Sequence, residues 1–527
     1  MSSLLTLDSV SASAPDGRLL FSGLSFSVTT NQRVGLVGRN GSGKSTLLAI
    51  IDGKAKPSGG HVAATARIGT LAQDLPAERT VADAIGILPI REAVARIEAG
   101  EGTEGDFALA DWTLDARVAG ALASSGLTGI DLERRVGSFS GGERTRIGIA
   151  KLLIEASDLI LLDEPTNNLD AAGRAAVDEL LTRWAGAAII ASHDRKLLEG
   201  MDRIIELNPI AVRQFGGGWS DFAAAREAER ERARATLAAA DQDLKEVKRI
   251  AQARHENKAR RDRAGKTYAA SGSAPKILMG RQAERAENST GRDGKRAERQ
   301  LNQAAQKFSE ANALVELTVP LTFDLPSSRL SSSKELLSIE DATVAVGPDR
   351  VLGPWSLDIR GPERVAVRGS NGAGKSTLLR LAMGEIMPAS GSVKRAEGCL
   401  AMMDQHVALL DPTLTVIENY QRRHREATRE SSHAALARFA FRNREAQRPV
   451  GTLSGGERLR AALAVVLGGA SPPQLLALDE PTNHVDLESI EALEQALSQY
   501  DGALLLVSHD QSFIDRIGVS REMNLDR

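Results

Sequence analysis

Cysteine, aromatic residues and long apolar runs are all scarce in this chain of 527 residues, and each shortage excludes something. The single cysteine, Cys399, cannot form an intramolecular disulfide, which excludes a disulfide-stapled secreted fold. No run approaches the roughly 20 apolar residues of a membrane helix. Residues 1–8 lack the basic start and apolar stretch of a signal peptide. We therefore expect a cytoplasmic protein without a membrane domain.

Aromatic residues make up only 3% of the chain, so its cores must be built from Leu, Ile, Val and Ala. Hydrophobic residues at 42% and charged residues at 26% are ordinary for globular domains. The length exceeds that of one typical domain. The net charge of −3 averages over the whole chain and identifies no partner.

Five short patterns occur twice in the same order, which indicates a duplicated domain too long for a solenoid repeat. They are a glycine-rich loop, a glutamine after an apolar run, Ser-Gly-Gly-Glu, Asp-Glu-Pro-Thr-Asn and Ser-His-Asp. The first set is Gly38–Thr46, Gln73, Ser140–Glu143, Asp163–Asn167 and Ser192–Asp194; the second is Gly369–Thr377, Gln405, Ser454–Glu457, Asp479–Asn483 and Ser508–Asp510.

Each copy has the pattern of an α/β domain. Short apolar runs such as residues 159–163 and 187–191 do not alternate with polar residues, as in parallel strands covered by helices on both faces. The sequence therefore predicts two α/β domains, over residues 1–220 and 326–527, separated by a charged segment over residues 221–325.

The charged segment predicts a pair of long exposed helices. Ala, Arg, Glu and Lys dominate it, and glycine and proline between Gly265 and Gly280 predict a loop that joins the two helices. From Lys245 to Arg281 there are 11 Lys or Arg and 3 Asp or Glu, and Tyr268 is available to stack on a base. A basic hairpin of this kind suits a polyanion such as RNA. The alternative is a solvated helix pair that only spaces the domains.

The repeated glycine-rich loop has the spacing of a phosphate cradle. Glycines allow backbone N–H groups to surround phosphate oxygens, and the helix that follows adds its positive end. Lys44 and Lys375 are placed to neutralise the β and γ phosphates, and Ser45 and Ser376 to ligate Mg²⁺. The alternative, a chance glycine-rich turn, would not occur twice with the same partners downstream.

Acidic residues follow a buried strand in each copy. Asp163 and Asp479 end their strands, where a carboxylate can hold Mg²⁺ through water. Glu164 and Glu480 come next, where the chain leaves the strand, and we expect each to act as general base for the attacking water. His193 and His509 close the next apolar run and are expected to contact the γ-phosphate.

The Ser-Gly-Gly-Glu patterns predict a second kind of phosphate contact. Ser140 and Ser454 are suited to cap a helix, and the bare glycines leave N–H groups open to an anion. Since each copy already has a cradle, we expect the two copies to pair head to tail. The nucleotide at Gly38–Thr46 would then be completed by Ser454–Glu457, and the nucleotide at Gly369–Thr377 by Ser140–Glu143.

With these motifs in both copies, the chain resembles the ATP-binding-cassette superfamily, and more narrowly the ABC-F family of tandem cassettes joined by a charged helical linker. The resemblance implies an ATPase with ATP and Mg²⁺ as cofactors, and it adds Gln73 and Gln405 to the metal ligands. The nucleotide-binding residues that it implies are Gly38, Asn40, Gly41, Gly43, Lys44, Ser45, Thr46, Gln73, Ser140, Gly141, Gly142 and Glu143, with Gly369, Asn371, Gly372, Gly374, Lys375, Ser376, Thr377, Gln405, Ser454, Gly455, Gly456 and Glu457.

The same resemblance implies the ribosome, through rRNA and tRNA, as partner of a monomer whose cassettes pair within the chain. Its role would be in translation or in ribosome protection against antibiotics. Two rivals stay open, the ATPase subunit of a transporter and a DNA-maintenance ATPase. The chain departs from the family at the adenine contact, because residues 12–16 and 345–349 offer no aromatic residue to stack on adenine. It also departs at the arm, because the first cassette has room for only a short arm, or none, around residues 85–129.

Overall fold

The computed structural model describes residues 3–71, 75–167, 169–208, 212–270, 298–312, 325–347, 350–404, 409–483 and 485–526. The chain forms two compact units. One comprises Met1–Phe222 with Leu321–Arg527, and the other is Ala223–Pro320. In the first unit we call residues 3–222 the first half and residues 325–526 the second half. None of the described helices is both long enough and apolar enough to cross a lipid bilayer.

The first half contains two sheets and a set of mostly short helices. Its strands are β1 Ser3–Ser13, β2 Leu19–Thr29, β3 Arg33–Val37, β4 Gly59–Ala64, β5 Ile68–Thr70, β6 Leu159–Asp163, β7 Ala187–Ala191, β8 Arg203–Glu206 and β9 Arg213–Gly216. Its helices are α1 Lys44–Ile51, α2 Val81–Ala84, α3 Leu88–Glu98, α4 Glu104–Leu109, α5 Leu114–Ser124, α6 Gly141–Glu155, α7 Ala171–Arg183 and α8 Arg195–Glu199, with a 3-10 turn at Val136–Ser138.

The larger sheet of the first half has the order β5-β6-β7-β3-β8-β9 and is parallel except for β9, while β2-β1-β4 form an antiparallel sheet. Residues 159–162 of β6 and all of β7 are buried, which explains why they lack polar alternation. The extra residues of the first copy form α3 and α4, joined by an ion pair between Arg96 and Asp106. The expected arm is therefore short.

The linker contains one very long helix. Helix α9 spans Trp219–Ala270, 52 residues, or roughly 78 Å at 1.5 Å per residue, and α10 spans residues 298–312. The prediction that a loop begins at Gly265 is wrong, because the helix continues through it to Ala270. One glycine costs only about 1 kcal/mol relative to alanine, which the surrounding helix formers offset. Residues 271–280 of the expected loop, and with them the turn of the hairpin, lie outside the described residues.

The second half repeats the same plan. Its strands are β10 Glu335–Ala345, β11 Val351–Arg360, β12 Arg364–Arg368, β13 Ser390–Arg395, β14 Leu400–Met403, β15 Leu475–Asp479, β16 Ala503–Val507 and β17 Arg521–Asn524. Its helices are α11 Lys375–Met383, α12 Val416–Arg423, α13 Arg429–Arg438, α14 Gly455–Leu467, α15 Leu487–Gln499 and α16 Gln511–Arg516, with 3-10 turns at Glu445–Gln447 and Val450–Thr452.

Its parallel sheet has the order β14-β15-β16-β12-β17, and β11-β10-β13 form the antiparallel sheet. The predicted fold class, two tandem α/β cassettes, is confirmed. In each half three parallel strands end side by side: β3, β6 and β7 in the first, and β12, β15 and β16 in the second. The carboxyl edge of such a sheet is where ligands bind in α/β folds.

Candidate nucleotide sites between the two halves

The first glycine-rich loop joins β3 to α1 in a backbone conformation that glycine favours. Gly38 has φ +150° and Gly43, which caps α1, has φ +100°. A Cβ atom on Gly38 would lie 2.5 Å from the carbonyl oxygen of Leu207. Lys44 Nζ donates to Gly38 O at 2.8 Å, so the lysine folds back over its own loop. The loop is thus preshaped, with a cation at its centre.

The second loop has the same conformation between β12 and α11. Gly369, Gly372 and Gly374 have φ of +147°, +86° and +99°. Lys375 Nζ donates to Gly369 O at 2.8 Å and to Ser370 O at 3.0 Å. Burial lowers the pKa of both lysines, and acidic residues oppose that shift, Glu164 foremost at Lys44 and Glu480 at Lys375.

A cleft of about 750 Å³ lies over the first loop, a volume suited to a nucleotide. It brings together most of the predicted phosphate-binding and catalytic residues of the first copy, but Gly38, Ser140–Glu143 and Ser454–Glu457 do not line it. Gln73 and Gln405 lie outside the described residues. The predicted residues that line the cleft are Asn40, Gly41, Gly43, Lys44, Ser45, Thr46, Asp163, Glu164 and His193.

The other end of this cleft is formed by Ala14, Pro15 and Arg18 rather than by an aromatic residue. Arg350, at the equivalent point of the second half, donates to Gly372 O. A planar guanidinium can stack on an aromatic ring, so these arginines, which lie just beyond residues 12–16 and 345–349, are suited to stack on the adenine. Their repetition in the two copies was the signal that sequence reasoning missed.

The glutamate after each Asp has a backbone that turns out of the strand. Glu164 and Glu480 have φ of +47° and +44°, which costs an L-residue about 1–2 kcal/mol. The carboxylate of each accepts a hydrogen bond from the backbone N–H of the histidine in its own half. Burial raises the pKa of Glu164 to about 7 against the opposing effect of Lys44, and burial also raises that of Glu480. A base with such a pKa suits proton transfer near neutrality.

Each histidine lies against the glutamate of its own half. His193 Nε2 is 3.1 Å from Lys44 Nζ and 3.2 Å from Glu164 Oε1. His509 Nε2 is 3.4 Å from Glu480 Oε1. Burial, reinforced by the neighbouring lysine, lowers the pKa of His193 to about 3 and that of His509 to about 4. Both rings are therefore neutral at pH 7, and the ring of His193 accepts from Lys44.

The hydroxyl and carboxylate oxygens beside the phosphate loops are suitable ligands for Mg²⁺. Ser376 hydrogen-bonds Asp479, whose pKa burial raises, so a hydroxyl and a carboxylate meet beside the second phosphate loop. No cluster of three or more His, Cys, Asp or Glu that could hold a metal occurs among the described residues. Mg²⁺ suits such a sparse set, since it keeps waters and phosphate oxygens as its other ligands. Ser45 with Asp163 would hold it in the first site, and Ser376 with Asp479 in the second.

The Ser-Gly-Gly-Glu patterns form helix caps, as their sequence predicts. Ser140 caps α6 by accepting from Glu143 N, while Glu143 Oε2 accepts from Ser140 N at 2.8 Å. Ser454 and Glu457 form the same capping box on α14. The serines and glutamates are thus engaged in their own caps, which leaves the backbone N–H groups of the glycines to face a ligand.

The two halves meet at their phosphate loops through two aspartates. Asp486 Oδ2 accepts from Asn40 N at 2.9 Å, and Asp170 Oδ2 accepts from Asn371 N at 3.2 Å. A Cβ atom on Gly141 would lie 3.8 Å from Asn371 Nδ2. Each loop therefore touches the opposite half. The sequence reasoning did not assign these aspartates to the sites, although both copies carry them seven residues after the strand-ending Asp163 and Asp479.

Among the residues that the structure describes, two ion pairs also join the halves. Arg195 Nη1 lies 2.5 Å from Glu494 Oε1, and both side chains are buried. Arg39 Nε lies 2.9 Å from Glu488 Oε2 at a more exposed position. In both pairs the first half supplies the cation and the second half the carboxylate.

The sequence profile of the family described as ABC transporter matches the chain twice, over residues 21–167 and 352–483. These segments contain the two phosphate loops and the two Asp-Glu pairs, and together they span more than half of the chain.

Two curated relatives match nearly the whole chain. One is the tylosin resistance ATP-binding protein TlrC of Streptomyces fradiae, 32% identical over 95% of this chain and 94% of its own. Another is the energy-dependent translational throttle protein EttA of Haemophilus influenzae, 30% identical over 97% of this chain and 90% of its own. Among solved structures, the complex of archaeal ribosomal stalk protein aP1 with the archaeal ribosome recycling factor aABCE1 is similar, with a TM-score of 0.58 at 18% identity over 98% of this chain and 87% of that one. At that identity the likeness shows the fold alone.

Proposed function

The chain belongs to the ATP-binding-cassette family, in its ABC-F group, and from that premise we propose that its ATPase cycle times its binding to the ribosome. Residues 1–220 and 326–527 are the two cassettes in this proposal, and residues 221–325 are the linker. The chain acts as a monomer in the cytoplasm, with its own two halves closing over two ATP molecules.

The observation that carries the proposal is the reciprocal contact between the halves. Asp486 holds the backbone of Asn40, and Asp170 holds that of Asn371, so each phosphate loop is in contact with the other half. The first site then consists of Gly38–Thr46, Asp163, Glu164 and His193 closed by Ser454–Gly456. The second consists of Gly369–Thr377, Asp479, Glu480 and His509 closed by Ser140–Gly142.

Each residue type in these sites has one task. The lysines and loop N–H groups bind the β and γ phosphates, and Mg²⁺, when bound, neutralises charge that develops on the transferred group. Glu164 and Glu480 orient the attacking water and accept its proton. The neutral histidines each donate a ring N–H to the γ-phosphate and fix the position of the glutamates through their backbone N–H groups.

The ribosomal partner is supported by the relatives and by charge. TlrC is named for tylosin resistance and EttA as a translational throttle. The basic segment from Lys245 to Arg281 suits rRNA and tRNA phosphates. Closure around ATP favours the ribosome-bound state and hydrolysis favours release, whether the outcome is control of translation or protection from an antibiotic.

The test is the double variant Glu164→Gln/Glu480→Gln, assayed for ATP binding, phosphate release and ribosome pelleting. Glutamine keeps the shape of the side chain but accepts no proton. We expect retained ATP binding, a loss of turnover of about 100-fold or more, and ATP-dependent accumulation on ribosomes.

The matched control is Glu101→Gln/Glu397→Gln, which removes two exposed carboxylates away from the sites. We expect it to behave like the unaltered protein. Normal turnover in the first double variant would refute the glutamates as bases. Pelleting with membranes, or salt-sensitive binding to duplex DNA without ribosome binding, would refute the ribosomal partner and favour one of the two rival functions.

A further inference from the structure

The two halves differ at one point of the contact between their ATP sites. Helix α7 is capped by Asp170, which holds the second phosphate loop at Asn371 N. Arg174 lies one turn further along α7, and its Nη1 donates to Asp194 Oδ2 at 2.7 Å. One side chain therefore connects the helix that touches the second site to the segment that follows β7.

That segment belongs to the first site. Asp194 comes directly after His193, whose ring contacts Lys44 and whose backbone N–H donates to Glu164. The side chains of Arg174 and Asp194 are only 20% and 15% exposed, so salt screens their pairing weakly. A continuous polar path thus runs from the second phosphate loop, through Asp170, Arg174 and Asp194, to the first catalytic glutamate.

The mirror path is interrupted. Asp486 holds the first phosphate loop at Asn40 N, but Ile490 stands one turn further along α15, where the first half has Arg174. Asp510 caps α16 by accepting from Phe513 N at 3.0 Å, as Asp194 caps α8. Within the part of the chain that the structure describes, Asp510 has no ion-pair partner. An isoleucine has no donor to supply one.

We propose that Arg174 is a positioning residue through which ATP in the second site sets the catalytic geometry of the first, with no equivalent link in the reverse direction. This rests on the proposed function, because it requires both sites to bind ATP. Nucleotide in the second loop fixes Asn371, Asp170 and the first turn of α7. Arg174 then holds Asp194, and with it the histidine that orients Glu164.

A second observation places Arg174 near both sites. Burial raises the pKa of Glu480, and Lys375 together with Arg174 opposes that rise. Arg174 therefore lies within electrostatic reach of the second site while it is bonded to a residue of the first.

The test reads the two sites separately. Glu480→Gln silences hydrolysis in the second site, so the remaining turnover reports the first. In that background we expect Arg174→Met to lower kcat about 3- to 30-fold with KM little changed, and Arg174→Lys, which keeps the charge, to recover part of the loss. In the Glu164→Gln background, where turnover reports the second site, Arg174→Met should lower kcat by a smaller factor than at the first site, because there Arg174 acts only through its charge on Glu480.

Asp194 both pairs with Arg174 and caps α8, and matched variants separate the effects of these two interactions. Asp194→Asn keeps a capping oxygen but loses the charge, so in the Glu480→Gln background it should reproduce the Arg174→Met loss. Asp510→Asn makes the same change at the equivalent cap of the second half, and in the Glu164→Gln background it should leave kcat unchanged. Thermal unfolding of each variant identifies any that is simply unstable.

If silencing one site stops hydrolysis at both, ATP binding is measured in place of turnover. In Glu164→Gln/Glu480→Gln protein, Lys375→Ala empties the second site, and we expect it to weaken ATP binding at the first. With Arg174→Met already present, Lys375→Ala should cause no further weakening. Equal kcat losses at both sites, or no loss at the first, would overturn the inference. None of these assays contains ribosomes, so the role of Arg174 can hold even if the ribosomal partner is refuted.

Discussion

Gly38 and Gly369 begin the two phosphate loops in the same left-handed backbone conformation but in different surroundings. A Cβ atom on Gly38 would lie 2.5 Å from the backbone oxygen of Leu207, whereas on Gly369 the nearest atom would be Ala373 Cβ at 3.2 Å. Strain from φ is common to both substitutions, about 1–3 kcal/mol. Only the first adds a clash with backbone that cannot move aside.

We therefore expect Gly38→Ala to weaken ATP binding at the first site at least about 10-fold more than Gly369→Ala weakens it at the second. The measurement is ATP titration, with Lys375→Ala present when the first site is read and Lys44→Ala when the second is read. Equal losses from the two substitutions would show that φ alone, and not the contact with Leu207, decides the effect.

The buried carboxyl of Glu164 predicts a pH dependence. A general base must be ionised to accept a proton, and burial raises the pKa of this group to about 7. In the Glu480→Gln background, kcat/KM should therefore fall as the pH drops below about 7, since this constant reports the free enzyme. A flat profile between about pH 6 and pH 8 would contradict Glu164 as the titrating base.

At the scale of residues, the sequence identified the groups that act chemically better than those that join the halves. Glycine loops, Lys44 and Glu164 belong to a local pattern whose spacing is itself the signal. Asp170 acts on Asn371, 201 positions away, and Arg174 joins the helix that carries Asp170 to Asp194 of another element. Such contacts depend on how two folded surfaces meet, which no local pattern of residues expresses.

At the scale of elements, α8 and α15 are joined by the ion pair of Arg195 and Glu494, whose side chains are 4% and 8% exposed. Glu494→Ala would leave the guanidinium of Arg195 buried without its main partner, which typically costs about 3–5 kcal/mol. We expect a loss of that size in the free energy of unfolding, measured by urea denaturation.

The control is Asp178→Ala on α7, the position equivalent to Glu494 in the first copy. Asp178 pairs with Lys196, whose side chain is 80% exposed, so its removal should cost no more than about 1 kcal/mol. Similar losses for the two substitutions would mean that the buried pair contributes little to the contact between the halves.

The type of each element was easier to predict than its ends. The uninterrupted apolar runs at β6 and β7 can only be buried strands or buried helix segments, and their five-residue length favours strands. Helix α9 passes through Gly265 because one weak residue within a long series of helix formers is tolerated. A glycine therefore marks a possible end of a helix, and its neighbours decide whether the helix ends there.

At the scale of the whole molecule, the positive charge of the linker should govern the affinity for the ribosome. It should not affect the rate of ATP hydrolysis when no ribosome is present. Arg260 and Arg263 are exposed in the basic part of α9, while Arg232 and Arg234 are exposed where acidic residues alternate with basic ones. If the basic part contacts RNA, Arg260→Gln/Arg263→Gln should weaken ribosome binding and reduce its salt slope by about 1–2.

Arg232→Gln/Arg234→Gln removes the same charge from the mixed part of the helix and should leave both the affinity and the slope nearly unchanged. The measurement is ribosome pelleting across a salt series, with phosphate release followed in parallel. Identical slopes for the two double variants would assign the binding to another part of the molecule.

The ion pairs between the halves also have a direction, since Arg39 and Arg195 both come from the first half and Glu488 and Glu494 from the second. Two second halves placed face to face would set Glu494 opposite Gln511 and Glu488 opposite Ser370, so both ion pairs would be lost. Two first halves would set Arg39 opposite Ala172 but Arg195 opposite Asp178, so one of the two would be lost. The charges at this contact therefore favour the pairing of unlike halves most strongly over the pairing of two second halves.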